Sequence, residues 1–188
     1  MAISSLDPST ALIVIDLQKG IVALPCVHPV ADVVSRAAVL AEAFRRRGLP
    51  VVLVNVAGIA PGRTEQVRSG GAPAPDWADL IPELNCQAGD HRVTKHTWGA
   101  FTGTDLESLL KAQGVTQVVI AGVATSIGVE STARYAYELG FNVTLAIDAM
   151  TDLNADAHDN SVTRIFPRLG ETGSTRDIID LLEAAAHE

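Results

Sequence analysis

The chain is poor in the residue types that mark several large classes of protein. Two cysteines, Cys26 and Cys86, are too few for a disulfide framework. No apolar run approaches the roughly 20 residues that a membrane-spanning helix needs, and the N-terminus MAISSLDPST lacks a basic start and an apolar signal segment. Acidic residues outnumber basic ones by 22 to 14, which does not favour a nucleic-acid groove. We therefore expect a soluble cytoplasmic protein with neither nucleic-acid nor membrane partners.

The apolar residues form short runs that alternate with helical patterns. With 47% hydrophobic residues, the 188-residue chain is long enough for a single domain, residues 1–188, with its own core. The patterns predict strands at 11–16, 51–56, 93–95, 117–121 and 142–147, a very short one at 170–173, and helices at 30–47, 103–113, 156–166 and 175–186. The many Gly and Pro residues within 58–75 predict a surface loop that could act as a lid. This alternation is typical of an α/β fold with a parallel sheet and helices on both faces.

A predicted strand, turn and helix within residues 118–150 hold the most informative position. The segment opens with an apolar run, and Gly122 is expected to end the strand. Thr125 or Ser126 is expected to cap the following helix, whose free N–H groups would then suit an anion or a developing oxyanion. Because residue 128 is glycine, no side chain at that position can act as a nucleophile.

Two charged residues are predicted to lie beside this turn. Asp16 ends the first strand and Lys95 ends the third, and ligands bind beyond the carboxyl ends of strands in such sheets. An Asp at a strand end can instead cap a turn. The Lys favours a chemical role, because a carboxylate and an ammonium in a partly desolvated cleft shift each other's proton affinity, as acid–base catalysis requires.

These residues resemble the isochorismatase-like hydrolases, also called the cysteine hydrolase superfamily, over nearly the whole chain. The resemblance lies in ALIVIDLQKG with Asp16, KHTWGAFTGTDLESLL with Lys95, and AGVATSIGVESTARYAYELGFNVTLAIDA with Gly128. It implies a Rossmann-like, three-layer α/β/α fold with a six-stranded, mostly parallel sheet. It also implies a catalytic triad of Asp, Lys and Cys, in which Gly128 stands at the Cys position. A non-proline cis peptide between Val123 and Ala124 is implied as well.

Gly128 excludes the thioester route that the resemblance implies for amidases. Several isochorismatases are similar to this chain here, and their hydrolysis of a vinyl ether needs no nucleophilic side chain. By this resemblance Asp16 would protonate the vinyl ether of isochorismate, and water would complete its conversion to pyruvate and a dihydroxy-cyclohexadiene carboxylate. Lys95 would tune the proton affinity of Asp16 and hold a substrate carboxylate. The sequence ATSIGVEST is closer to that of the amidase-like branch. The alternative is therefore a member that lost its nucleophile and is non-catalytic, or that binds a small molecule or a partner protein.

The resemblance also supplies the expected substrate contacts. N–H groups near Ala124 and Gly128 would bind a substrate oxygen. Trp98 and Phe101 follow Lys95 where family members use aromatic residues to wall the pocket, although plain core positions explain them equally well. The complete set expected to bind substrate or an oxyanion is Asn55, Trp98, Phe101, Val123, Ala124 and Thr125.

Neither a metal nor a cofactor is expected. A nicotinamidase would carry an Asp-x-His pair at residues 55–57, where this chain has Asn-Val-Ala, and its five histidines are dispersed at 28, 91, 96, 158 and 187. Cys26 could be a displaced nucleophile, but a half-buried thiol explains it better. The resemblance thus implies a metal-independent hydrolase of a small molecule, and by resemblance alone a homo-oligomer, either a dimer or a tetramer.

Overall fold

A computed structural model describes residues 3–65 and 73–184 as a six-stranded parallel sheet flanked by helices. The strands are β1 (Thr10–Ile15), β2 (Val51–Val56), β3 (His91–Lys95), β4 (Gln117–Val123), β5 (Asn142–Thr151) and β6 (Glu171–Gly173). The helices are α1 (Lys19–Val22), α2 (Val30–Arg46), α3 (Leu106–Ala112), α4 (Glu130–Glu138), α5 (Ala155–Asn160) and α6 (Thr175–Ala184). The strand order β3-β2-β1-β4-β5-β6 places β1 and β4 at the centre. The predicted α/β class and the implied six-stranded sheet are confirmed.

Both faces of the sheet are covered because alternate residues of its central strands point to opposite sides. In β1, Ile13 and Ile15 pack into the cluster that contains residues of α3 and α4. Leu12 and Val14 pack into the cluster that contains residues of α2 and α6. Each fully buried Val, Leu or Ile contributes about 1.5–3 kcal/mol relative to exposure. This double-sided packing fixes the carboxyl end of β1, where Asp16 follows.

Strand β4 does not end at Gly122, as the sequence suggested, but continues to Val123. Gly122 has φ of +118°, and a Cβ at this residue would overlap the backbone of Ile15 in β1. Glycine is therefore needed here for close approach of two paired strands, rather than to terminate one of them.

The turn after β4 also differs from the expected helix start. Residues Thr125–Val129 form a π-helical turn, and α4 begins after it. Neither Thr125 nor Ser126 caps this turn with its side chain. The N–H of Ser126 donates to Oδ2 of Asp152 at 2.7 Å, whereas the hydroxyl of Thr125 is 2.9 Å from Nδ1 of His158. The carboxylate of Asp152, which lies 26 residues further along the chain, thus accepts the N–H that a local cap would have accepted.

Two predicted helices are shorter in the structure. Helix α3 begins at Leu106 rather than at residue 103, because Gly103 has φ of +69° and forms part of the preceding turn. After α5 the chain continues through a π-helical turn (Ser161–Ile165) and a 3-10 turn (Phe166–Arg168). The latter contains Pro167, which has no N–H to donate to a regular helix.

Residues 58–65 and 73–75 of the predicted surface loop contain neither helix nor strand. Its residues 66–72, and the last two residues of the final predicted helix, lie outside the described residues. None of the helices in the described parts of the chain has the length and apolar character of a membrane span.

Candidate active site

Asp16 and Lys95 form a buried ion pair at the carboxyl edge of the sheet. Nζ of Lys95 donates to Oδ2 of Asp16 at 2.7 Å and to the carbonyl of Thr97 at 3.2 Å. The side chains of Lys95 and Asp16 are only 1% and 7% exposed. Because the carboxyl ends of parallel strands lie along one edge, β1 and β3 bring together two residues that are far apart in sequence.

Burial shifts the carboxyl group of Asp16 toward its protonated form. Its Oδ1 atom is buried and accepts no hydrogen bond from the described residues. Burial raises the pKa of Asp16 to about 6, although the nearby Lys95 acts to lower it. Because Oδ2 already accepts the Lys95 N–H, a proton on this group belongs on Oδ1.

The backbone of Asp16 is unusual as well. Its φ of +52° lies in the left-handed region, which costs a residue other than glycine roughly 1–2 kcal/mol. Residues held in this conformation cluster at functional sites. Here the conformation occurs at the first residue after β1, where the side chain turns toward Lys95.

Gly128 lies directly beside the carboxyl group of Asp16. A Cβ at residue 128 would be 3.3 Å from Oδ2 of Asp16 and 3.5 Å from the carbonyl oxygen of Val123. It would also approach Cγ2 of Ile15 to 2.9 Å, closer than ordinary van der Waals contact. A side chain at residue 128 would therefore project next to the acid, and glycine keeps that space open.

The peptide bond between Val123 and Ala124 is cis, as the resemblance implied. The N–H groups of Ile127 and Val129 each donate to the carbonyl of Ala124 at 3.1 Å. Because these two N–H groups are engaged within the turn, the expectation of a substrate oxygen site rests on the N–H groups of Ala124 and Gly128.

These groups face a cavity of about 250 Å³. Of the residues expected at the site, it is lined by Asp16, Lys95, Trp98, Val123, Ala124 and Gly128. Its other walls are mainly apolar, and four large apolar side chains remain more than one third exposed around it: Leu24, Ile59, Trp98 and Leu153. A larger groove of about 860 Å³ runs along α2, but it contains no Asp–Lys pair of this kind. The chemistry therefore places the candidate site in the smaller cavity.

Three residues expected to contact substrate do not line this cavity. Phe101 is buried in the core, where its ring stacks on those of Tyr135 and Phe141. The amide of Asn55 donates to the carbonyl of Ala78 at 2.9 Å, on the side of the sheet edge away from the ion pair. Thr125 is fully buried, with its hydroxyl directed to the histidine behind the turn. Each of these side chains is engaged in packing or hydrogen bonding within the protein.

Trp77 lines the cavity although sequence reasoning did not select it. The N–H of Gly20 donates to the carbonyl of Trp77 at 2.9 Å, and a Cβ at Gly20 would overlap the indole ring. The rarity of tryptophan could have pointed to Trp77, because the chain has only two tryptophans and both line this cavity.

Cys26 does not line the cavity. Its thiol is half-buried, and burial, reinforced by the charge of Asp152, raises its pKa. A thiol held in its protonated form is a poor nucleophile, so Cys26 is no substitute for a thiol at residue 128. Within residues 3–65 and 73–184, no group of three His, Cys, Asp or Glu side chains is arranged to hold a metal ion.

The Isochorismatase domain family matches residues 10–177, a span that contains the ion pair and the turn. The chain belongs to the isochorismatase family. It is 42% identical over 185 residues to the YecD isochorismatase family protein of Escherichia coli O157:H7, covering 93% of this chain and 96% of that protein. The family is one of hydrolases, which supports a hydrolase activity for this member.

Solved structures of family members have the same fold. An isochorismatase family protein from Burkholderia thailandensis superposes with a TM-score of 0.92 at 44% identity, covering 97% of this chain and all of that one. The N-carbamoylsarcosine amidase of Thermoplasma acidophilum superposes with a TM-score of 0.71 at 28% identity, covering 89% and 96% of the two chains. The relatives of this isochorismatase family member thus include an amidase.

Proposed function

We propose that this isochorismatase family member hydrolyses the vinyl ether of a small carboxylate-bearing metabolite, such as isochorismate, without a covalent intermediate. The observation that carries the proposal is the carboxyl group of Asp16, which is buried, bonded to Lys95 through one oxygen, and without a partner among the described residues at the other. Such a group can donate a proton near neutral pH, because burial has raised its pKa to about 6.

The first step is transfer of the proton on Oδ1 of Asp16 to the terminal vinyl carbon of the substrate. The vinyl double bond supplies the electron pair for the new C–H bond, and the ether-bearing carbon becomes an oxocarbenium ion. The carboxylate left on Asp16 is stabilised by the N–H of Lys95 at 2.7 Å. No nucleophilic side chain takes part in this step.

The second step is addition of water to the oxocarbenium ion. Asp16, now ionised, takes one proton from the attacking water. The resulting hemiketal then breaks its bond to the ring oxygen, and its hydroxyl proton passes to that oxygen, which gives pyruvate and the ring diol. The space that Gly128 leaves beside Oδ2 of Asp16 is available for the reacting atoms. The N–H groups of Ala124 and Gly128 would bind a substrate oxygen and hold it in place for both steps.

The direct test is to incubate the protein with isochorismate and with a panel of amides, while pyruvate and ammonia are measured. We expect pyruvate and no ammonia. Asp16→Asn preserves the shape of the side chain and should abolish pyruvate release. Asp90→Asn is the matched control, because Asp90 also forms a buried ion pair, with Arg45 at 2.7 Å, but lies outside the cavity. Ammonia release would contradict the proposal.

A second candidate is a binding protein that has lost amidase chemistry. It is favoured by Gly128 at the position that the family resemblance gives to Cys, together with the similarity to an amidase at 28% identity. This candidate predicts neither pyruvate nor ammonia in the assay, but retention of small-molecule binding in the cavity. The intact Asp16–Lys95 pair favours the hydrolase, because a binding site for a neutral molecule has no need of two buried charges.

A further inference from the structure

The charges in the cavity do not balance once an anion enters it. Among the described residues that line it, Asp16 and Lys95 are the ionisable ones, and they already form an ion pair. Apolar side chains, among them Trp77, Trp98 and Ile127, make up most of the remaining walls. A carboxylate that enters this space adds one negative charge that the ionised pair cannot neutralise, and an uncompensated charge in an apolar site is costly.

A proton on Asp16 restores the balance. Oδ1 can carry it without disturbing the contact between Lys95 and Oδ2, because Oδ1 accepts no hydrogen bond from the described residues. With Asp16 neutral, the positive charge of Lys95 is left to oppose the carboxylate of the ligand. The charges of Asp16, Lys95 and the ligand then sum to zero, and an apolar cavity favours a neutral set of groups.

We propose that the cavity takes up one proton from solvent with each carboxylate group that it binds, and that this proton resides on Oδ1 of Asp16. The proposal rests on the proposed function and extends it to the class of substrate: an apolar body with one carboxylate inside the cavity, any further charge facing solvent. Binding of the substrate would thereby protonate the acid that reacts with it, because the negative charge of the substrate raises the proton affinity of Asp16.

Other titratable groups lie near the site and must be separated from Asp16 in any test. Asp152 and His158 lie behind the turn, bonded to Ser126 and Thr125, and His96 lies beside Gly58 at the cavity. A neutral ligand of the same shape controls for changes in the shape of the cavity, and Asp16→Asn separates the charge of Asp16 from the charges of these groups. Benzoate and benzamide form such a pair.

The experiment measures binding rather than turnover. Trp77 and Trp98 are the two tryptophans of the chain and both line the cavity, so intrinsic fluorescence reports its occupancy. We expect the Kd of benzoate to rise about tenfold per pH unit above about pH 6, and that of benzamide to change less than twofold. Calorimetry well above pH 6, where Asp16 is ionised before the ligand binds, in two buffers with different heats of ionisation should show close to one proton taken up per benzoate, and none per benzamide.

Asp16→Asn should remove both the pH dependence and the proton uptake, whereas Asp90→Asn should retain them. Benzoate binding that is independent of pH, or that takes up no proton, would overturn the proposal, as would failure of benzoate to bind. These outcomes are separate from the fate of the proposed function. Proton-linked benzoate binding without pyruvate release would refute only the hydrolysis, and pyruvate release with pH-independent binding would refute only this inference.

Discussion

The Cβ position of residue 128 lies 3.3 Å from Oδ2 of Asp16. We therefore expect Gly128→Ala to lower kcat/KM for the vinyl ether at least about tenfold, because its methyl group would occupy the space beside the acid. The same methyl group would press on Ile15 at 2.9 Å, so the free energy of unfolding should fall by about 1–3 kcal/mol. Steady-state kinetics and denaturant titration measure the two effects. Gly89→Ala, where a Cβ meets nothing within 4 Å, should change neither.

Replacement of Gly128 by cysteine tests whether the site lacks only a thiol for amidase chemistry. We expect Gly128→Cys to release ammonia from amides that the unchanged protein leaves intact, since its thiol would project beside Oδ2 of Asp16 and could lose its proton to that group. An ammonia assay over the amide panel measures this gain. Adding Asp16→Asn to Gly128→Cys should remove the activity, and no gain in any amide would show that the scaffold lacks more than a thiol.

The pH dependence of hydrolysis follows from the state of Asp16. The protonated form is the active acid, so kcat/KM should be constant below about pH 6 and fall about tenfold per unit above it. Lys95 lowers the pKa of Asp16, so Lys95→Met should move this fall to higher pH. Rate profiles from about pH 5 to about pH 9 test both statements. Arg45→Met, which removes a cation from a distant ion pair, should leave the position of the fall unchanged.

The free energy of unfolding should also fall as pH rises. The pKa of Asp16 is raised from 3.8 to about 6, so folded protein holds this proton more tightly than unfolded protein. The associated stabilisation is complete below about pH 4 and is lost as pH rises through about 6, by about 3 kcal/mol at most. Denaturant unfolding of the unchanged protein and of Asp16→Asn at each pH isolates this contribution. A difference between the two proteins that does not vary between pH 4 and 7 would contradict it.

Gly122 provides a test of the strand packing that supports the site. Gly122→Ala should lower the free energy of unfolding by more than about 3 kcal/mol, because its Cβ would overlap the backbone of Ile15 and its φ is +118°. Gly140→Ala is the matched control, with φ of +86° but nothing within 4 Å of the Cβ, and should cost about 1 kcal/mol. Equal losses in the two variants would show that the close approach of β1 and β4 contributes little.

The positions of Asp16 and Lys95 could be predicted because they depend on strand ends alone. Asp16 follows an apolar run that is typical of a buried strand, and Lys95 ends the short predicted strand at 93–95. Parallel topology brings such strand ends to one edge of the sheet. The cis peptide and the meaning of Gly128 came instead from the family resemblance. The local interactions of the turn could not be predicted, because the acceptor for Ser126 is Asp152, 26 residues further on.

The cavity walls were less predictable than its charged pair. Trp77 belongs to an irregular segment whose position depends on contact with Gly20, and no periodic pattern reports such a contact. The sequence around Phe101 fits a cavity wall and a core position equally well, and the rings of Tyr135 and Phe141 place it in the core. Among the expected wall residues, Trp98 lines the cavity, whereas Asn55, near the end of β2, is hydrogen-bonded outside it.

The acid and the walls of the cavity belong to different parts of the fold. Asp16 and the turn of Gly128 follow the two central strands, which are paired along their length and buried on both faces. Leu24, Trp77 and Leu153 lie outside every strand and reach the cavity from separate connecting segments. Substitutions in those segments can therefore reshape the cavity while the proton donor keeps its place, so that new specificities are accessible by small steps in evolution or in the laboratory.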